Sequence, residues 1–186
     1  MKYFIPIALV VLIAVQLFVP ARMIISREQI LNNGNTVRFE TAPIDPVDPF
    51  RGNYVQLSFK ENSYRLPGKM ELSRGEEVYV LLKSNANNYA TIVGLSKSKP
   101  VAGSLYVLGE VDYVAENLVY FNFPFERFYM EEFKAPKAES AYFESRIDSS
   151  QKAYADVRVL DGRAVIKNIY INDTAIADLI KHRAEK

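Results

Sequence analysis

The segment "YADVRVLDGRAVIKNIYI", residues 154–171, has two runs of alternating apolar and polar residues on either side of Asp161-Gly162. Alternation with a period of two is typical of a strand with one buried face, because successive side chains point to opposite faces of a sheet. An Asp-Gly pair between two such runs favours a tight turn in which both central residues have a positive φ. The segment therefore predicts a two-stranded antiparallel hairpin.

Six further segments of this kind precede the hairpin. They are "TVRFETA" (36–42), "NYVQLSF" (53–59), "EVYVLLKS" (77–84), "YATIVGL" (89–95), "SLYVLGEVDYV" (104–114) and "NLVYFNF" (117–123). Gly, Asn, Pro and Asp residues between them favour turns. The pattern predicts a mainly β fold, an antiparallel β-sandwich or partly open barrel of about eight strands. Helix is predicted only for residues 136–147 and for the tail, 174–186.

The N-terminal segment Tyr3–Ala21 has no charged residue. As a helix it would be about 29 Å long, which matches the hydrocarbon core of a bilayer. We interpret residues 1–26 as a membrane anchor and residues 27–186 as a β-rich domain. A secretory signal cut after Ala21 is the alternative, although its apolar region is usually only ~7–15 residues long. Since a single N-terminal span more often exports a long body, we expect the domain on the extracytoplasmic side of the cell membrane.

Composition excludes several classes of function. The net charge of +1 provides no basic field for nucleic acid, so no nucleic-acid partner is predicted. The absence of cysteine excludes disulfides, iron–sulfur clusters and cysteine nucleophiles. The single histidine, His182, lies close to the C-terminus and is a poor basis for a catalytic triad or a metal site. No cofactor and no metal site are predicted.

Two segments contain candidate functional residues. The loop "DPVDPFRGNY" (45–54) is stiffened by prolines and leads into a strand whose face Val55-Leu57-Phe59 we expect to be buried. It is either a braced turn or a binding site. The segment "YFNFPFERFY" (120–129) has six aromatic residues in ten and forms either the edge of the core or a contact groove. In these interpretations Arg51 pairs with a loop aspartate, and Arg127 with a neighbouring glutamate.

These segments also carry a family resemblance. "GNYVQLSF" (52–59), "PIDP" (43–46) and "FERFYMEE" (125–132) together resemble the GDYxxLxY family of membrane-anchored bacterial proteins, and the likeness extends from the anchor to about Asp173. Asn53 and Phe59 stand where the family motif has aspartate and tyrosine. The resemblance implies an N-terminal anchor and an extracytoplasmic β domain, and it implies no reaction. By analogy only, it implies a multi-pass membrane protein as partner.

The sequence thus predicts a non-catalytic binding or partner subunit of an envelope membrane complex, held in the membrane through Tyr3–Ala21. Its candidate binding residues are Asp45, Asp48, Arg51, Tyr54, Glu126, Arg127 and Glu132. The alternative is a carboxylate-based hydrolase or a hard-cation-binding domain that uses Asp45, Asp48, Glu126 and Glu132. Asn53 counts against that alternative, because asparagine is neither a general base nor a charged ligand.

Overall fold

The computed structural model of the protein describes residues 4–42, 54–131, 138, 140, 142 and 152–184. These ranges contain a long N-terminal helix, twelve strands and a short helix near the C-terminus. In chain order they are α1 (Phe4–Asn33), β1 (Asn35–Ala42), β2 (Tyr54–Gln56), β3 (Ser58–Phe59), β4 (Ser63–Arg65), β5 (Glu77–Ser84), β6 (Ala90–Ser96), β7 (Tyr106–Ala115), β8 (Leu118–Asn122), β9 (Arg127–Tyr129), β10 (Ala153–Leu160), β11 (Arg163–Ile171), β12 (Thr174–Ala175) and α2 (Ile176–Ala184). The fold is mainly β and is preceded in the chain by one N-terminal apolar helix, as the sequence predicted.

The strands form two five-stranded antiparallel sheets and a small ribbon. The first sheet has the order β12-β11-β10-β1-β3, the second has the order β4-β8-β7-β5-β6, and β2 pairs with β9 in the ribbon. Two isolated bridges, Arg38 with Tyr89 and Val107 with Gly162, join the two sheets. The sheets therefore close partly around one core, which agrees with the predicted sandwich or partly open barrel.

The Asp161-Gly162 hairpin is confirmed. Leu160 pairs with Arg163, and the two turn residues have φ angles of 50° and 81°. The carbonyl oxygen of Gly162 accepts a hydrogen bond from the backbone N–H of Leu108 at 2.8 Å. The tip of the hairpin thereby ties the first sheet to β7 of the second.

The segment 53–59 differs in part from the prediction. Its residues Val55, Leu57 and Phe59 are buried, as expected. However, β2 pairs with β9 whereas β3 pairs with β1, so the segment forms two short strands rather than one. The change of partner occurs at Leu57, whose N–H donates to the carbonyl oxygen of Glu126 at 2.8 Å. The sequence also missed β4, β9 and β12, because two or three residues are too few to show a period.

Helix α1 continues without a break into the domain. Its segment Ile7–Asn33 is long and apolar enough to cross a membrane, and the apolar window is not buried anywhere in the structure. This fits a single-pass membrane anchor. The residues that follow the apolar run are also helical, up to Asn33, and Ile30 in these last turns is buried against the domain.

The aromatic segment 120–129 lies mainly in the core. Phe121, Phe123 and Phe125 are buried, and the last two rings are stacked with centroids 4.9 Å apart. Phe39 and Phe59 pack against this pair, with ring centroids 5.3–6.2 Å apart. The tail helix is confirmed as α2, and of the predicted helix at 136–147 only residues 138, 140 and 142 are described, all of them helical.

Candidate functional site

The outer face of the β2–β9 ribbon carries a cluster of two aromatic side chains and one basic side chain, of which Tyr54 is half-buried and the other two are exposed. Tyr54 lies directly opposite Tyr129 in the ribbon, and their ring centroids are 5.6 Å apart. The guanidinium carbon of Arg127 lies 5.1 Å from the centroid of the Tyr54 ring. We call these three residues the Tyr–Arg cluster. The cluster faces outward because β9 alternates, with Arg127 and Tyr129 exposed and Phe128 packed against the core.

The cluster carries a permanent positive charge. A hydrogen bond with the side chain of Tyr129, and then the nearby Tyr54, raise the pKa of Arg127 above its ordinary value, so the guanidinium stays protonated. Among the described residues, the ion pairs found do not include Arg127. The sequence paired this arginine with a neighbouring glutamate, whereas the structure places it against two tyrosines. Such a contact is a cation–π interaction, which leaves the charge available to a ligand.

Glu126 braces the turn that precedes β9. Its Oε1 atom accepts a hydrogen bond from the backbone N–H of Phe123 at 3.2 Å. Burial raises the pKa of this carboxyl group, and the Phe123 N–H and the charge of Arg127 oppose that shift. The backbone carbonyl oxygen of Glu126 also accepts a hydrogen bond from the N–H of Leu57. The side chain and the backbone of Glu126 therefore both hold the ribbon in place.

The other candidate residues lie outside the described ranges. They are Asp45, Asp48, Arg51 and Glu132, together with Gly52 and Asn53 of the family motif. Their part in a binding site therefore stays a prediction, and so does the carboxylate-based alternative. Within the described ranges, no group of three or more acidic or histidine side chains is placed to hold a metal ion.

A groove of about 1040 Å³ lies between α1 and the domain, and Arg127 and Tyr129 of the Tyr–Arg cluster form part of its lining. From α1 it is lined by Phe18, Val19, Arg22, Met23, Ser26, Arg27 and Ile30, and from the domain by Leu108, residues 123–129 and residues 162–166. We call it the membrane-proximal groove. Arg163 spans it, with its Nη1 atom donating to the Oγ atom of Ser26 at 2.6 Å.

Sequence reasoning did not find this groove. No binding role was predicted from the sequence for Arg22 or Arg27, and Arg163 was placed only in a hairpin strand. The contact between Ser26 and Arg163 joins residues 137 positions apart, so no local pattern contains it. The available signal was the placement of arginines immediately after an apolar run.

A family model described as GDYXXLXY protein matches residues 16–169, a range that includes the last turns of the membrane span, the Tyr–Arg cluster and most of the final hairpin. No curated protein and no solved structure matches the chain. Since the match covers most of the sequence, the chain belongs to the GDYXXLXY family.

Proposed function

We propose that the protein is a non-catalytic partner subunit of an envelope membrane complex, with its β domain on the extracytoplasmic side. The Tyr–Arg cluster is the observation that carries this proposal. Tyrosine and arginine are enriched at the centres of protein interfaces, where they provide large contact areas and directed hydrogen bonds. Tyr129 is 58% exposed although its ring is large and mostly apolar. A partner that covered it would remove this surface from water.

The attachment of the domain to its anchor also supports a docking role. The N–H of Gly34 donates to the carbonyl oxygen of Ile30 at 2.9 Å, and Arg158 of β10 donates to the carbonyl oxygen of Gly34 at 2.9 Å. These contacts hold the end of α1 against the first sheet, so the Tyr–Arg cluster keeps a constant height above the membrane. A preorganised surface loses less freedom when it binds, which favours association.

The chemistry of the cluster supports binding rather than reaction. Arg127 is charged throughout the physiological pH range and cannot act as a general base. Glu126, the candidate acid next to Arg127 in the sequence, uses an oxygen to accept the Phe123 N–H within a turn. A rigid aromatic and cationic surface of this type is suited to a partner that presents acidic or carbonyl groups close to the membrane.

Purification of the full chain from native membranes in mild detergent tests the partner role. We expect a multi-pass membrane protein to co-purify in a fixed ratio, and Tyr54→Ala and Tyr129→Ala to reduce its recovery. Tyr113→Ala is a matched control, because Tyr113 is also exposed, at 49%, but lies on β7 of the second sheet. Full recovery with Tyr129→Ala, or a wild-type chain that purifies alone, would contradict the proposal.

Orientation and anchoring need a separate measurement. A reporter that functions only outside the cytoplasm is fused after Lys186. We expect this reporter to be active, and the fusion protein to stay in the membrane during carbonate extraction. An inactive reporter would place the domain inside the cell. A shortened protein that carbonate releases would instead indicate cleavage after Ala21.

A further inference from the structure

We propose that the membrane-proximal groove binds the headgroup of an anionic phospholipid from the leaflet beneath the domain. This lipid site shares Arg127 and Tyr129 with the Tyr–Arg cluster, but it does not depend on the proposed protein partner. It follows from the position of the groove at the level of the lipid headgroups, from its charge and from the apolar surface at its membrane end.

The groove lies at the level of the lipid headgroups. Arg22 is the first charged residue after the apolar run, so it marks the boundary of the hydrocarbon core. A headgroup layer is about 5–8 Å thick, given a bilayer of about 40–45 Å around a core of about 30 Å. Ser26 lies about 6 Å beyond Arg22 and Arg27 about 7.5 Å beyond it, at a rise of 1.5 Å per residue. Arg163, which donates to Ser26, is therefore held within this layer.

The charge of the groove suits a phosphate. Four arginines line it: Arg22, Arg27, Arg127 and Arg163. Glu126 is the single acidic residue among those described around it, and that side chain accepts a hydrogen bond from a turn. Each guanidinium has five N–H donors in a planar fork that matches phosphate oxygens. The hydroxyl of Ser26 occupies one donor of Arg163 and leaves the others available.

The membrane end of the groove suits an acyl chain. Phe18, Val19 and Met23 line it there, and all three are at least half exposed in the structure. Val19, Met23, Ser26 and Ile30 follow each other at intervals of three and four residues, so they form one stripe along the face of α1 that borders the groove. A ligand that spans the groove needs a negative head and an apolar tail, in that order from the water towards the bilayer.

An anionic phospholipid meets both requirements and is supplied by the membrane itself. Free phosphate would use the arginines but leave Phe18 and Met23 exposed. An acidic peptide segment would also pair with the arginines, but it would leave the apolar end of the groove to lipid chains. The lipid is therefore the occupant that covers the whole groove.

Spin-labelled lipids test the proposal directly. The full chain is reconstituted in phosphatidylcholine vesicles, and the immobilised fraction of labelled phosphatidylglycerol is compared with that of labelled phosphatidylcholine. Each arginine that meets an anionic headgroup contributes about fivefold in affinity, so we expect a preference of about tenfold or more for phosphatidylglycerol. The triple variant Arg22→Gln/Arg27→Gln/Arg163→Gln should reduce the preference to about fivefold or less, because Arg127 alone then remains of the four arginines.

Two matched variants serve as controls. Arg65→Gln/Arg74→Gln/Lys83→Gln removes the same charge from exposed positions of the second sheet and its adjoining loop, and should leave the preference unchanged. The corresponding lysine variant, Arg22→Lys/Arg27→Lys/Arg163→Lys, retains the positive charges and should keep most of the preference for phosphatidylglycerol. This variant separates an effect of lost charge from an effect of lost folding. A wild-type preference below about twofold, or an equal loss in the second-sheet control, would overturn the proposal.

Phosphate competition and photo-crosslinking identify the source of the ligand. Excess inorganic phosphate should not displace the labelled lipid, and full displacement would reduce the site to a general anion site. A photoreactive residue at Met23 in native membranes should form a lipid adduct enriched in anionic species. The same residue at Ile13, in the span but outside the groove, should form unselective lipid adducts. A polypeptide adduct at Met23 without lipid would overturn the lipid assignment in favour of a protein segment.

Discussion

Substitution of Gly162 by alanine should strongly reduce the free energy of unfolding. Gly162 has a φ of +81°, and an added Cβ would lie 2.7 Å from Cε2 of Tyr106. The Tyr106 ring is buried and packs edge-on against Tyr79, with centroids 5.7 Å apart, so it has little room to move. The left-handed backbone costs alanine about 1–2 kcal/mol. Overpacking against a fixed ring adds about 1–3 kcal/mol, which gives about 2–5 kcal/mol in total.

Gly103→Ala isolates the backbone contribution to this cost. Gly103 has a φ of +87°, and an added Cβ there would meet no atom within 4 Å. Its substitution should therefore cost only the about 1–2 kcal/mol of the left-handed conformation. Urea unfolding of the full chain in detergent, followed by tyrosine fluorescence, measures both values, since the chain has 12 Tyr and no Trp.

The reasoning fails if the two glycine variants lose the same free energy of unfolding. A double-mutant cycle provides a second check. In a Tyr106→Ala background the ring is absent, so Gly162→Ala should cost no more than Gly103→Ala. The corresponding coupling energy should be about 1–3 kcal/mol, because the two residues are in direct contact. A coupling near zero would show that the Tyr106 ring is not what constrains the hairpin tip.

Leu57→Ala should destabilise the domain by about 2–5 kcal/mol in the same assay, because Leu57 is only 1% exposed. Gln56→Ala next to it should cost less than about 1 kcal/mol, and equal costs would contradict the assigned faces. Burial, helped by Glu40, raises the pKa of Glu61 from its ordinary 4.5 to about 7. The stability that protonated Glu61 provides is fully present below pH 4.5 and is lost as pH rises through about 7. Glu61→Gln should therefore flatten the pH profile by about 1–2 kcal/mol, allowing for solvent screening of this partly exposed group, and an unchanged profile would contradict the assigned pKa.

The strands that the sequence predicted well are those with one continuously buried face. β5 and β11 were predicted to the residue, because alternation over eight or nine positions is a strong local signal. The division of 53–59 into β2 and β3 was not predictable in this way. Both halves keep the same buried face, and only the hydrogen-bonding partner changes, at Leu57. The choice of pairing strand is set by tertiary structure and does not change the alternation of apolar and polar residues.

The candidate site was predictable to a smaller extent. Tyr54 and Arg127 were singled out by the sequence, and the structure brings them together as a cation–π pair. Tyr129 was noted only as an aromatic residue, because its exposure depends on which face of β9 meets the core. The membrane-proximal groove was missed because it needs α1 to continue as a helix to Asn33. Arg22, Arg27 and Glu28 resemble a polar linker, whereas the burial of Ile30 makes the helical form favourable.

Both proposals depend on the junction between α1 and the first sheet. A Cβ at Gly34 would lie 2.5 Å from the carbonyl oxygen of Ile30 and 3.1 Å from the backbone of Val159, so only glycine allows the helix end to approach β10 this closely. The hydrogen bond from Arg158 to Gly34 and that from Arg163 to Ser26 then fix the last turns of α1 at two heights. If the anchor were a loose tether, the four arginines would not face one groove and the Tyr–Arg cluster would have no fixed height. The close packing at Gly34 thus holds the domain in one orientation relative to α1, and both proposals rest on this orientation, since the groove and the Tyr–Arg cluster share Arg127 and Tyr129.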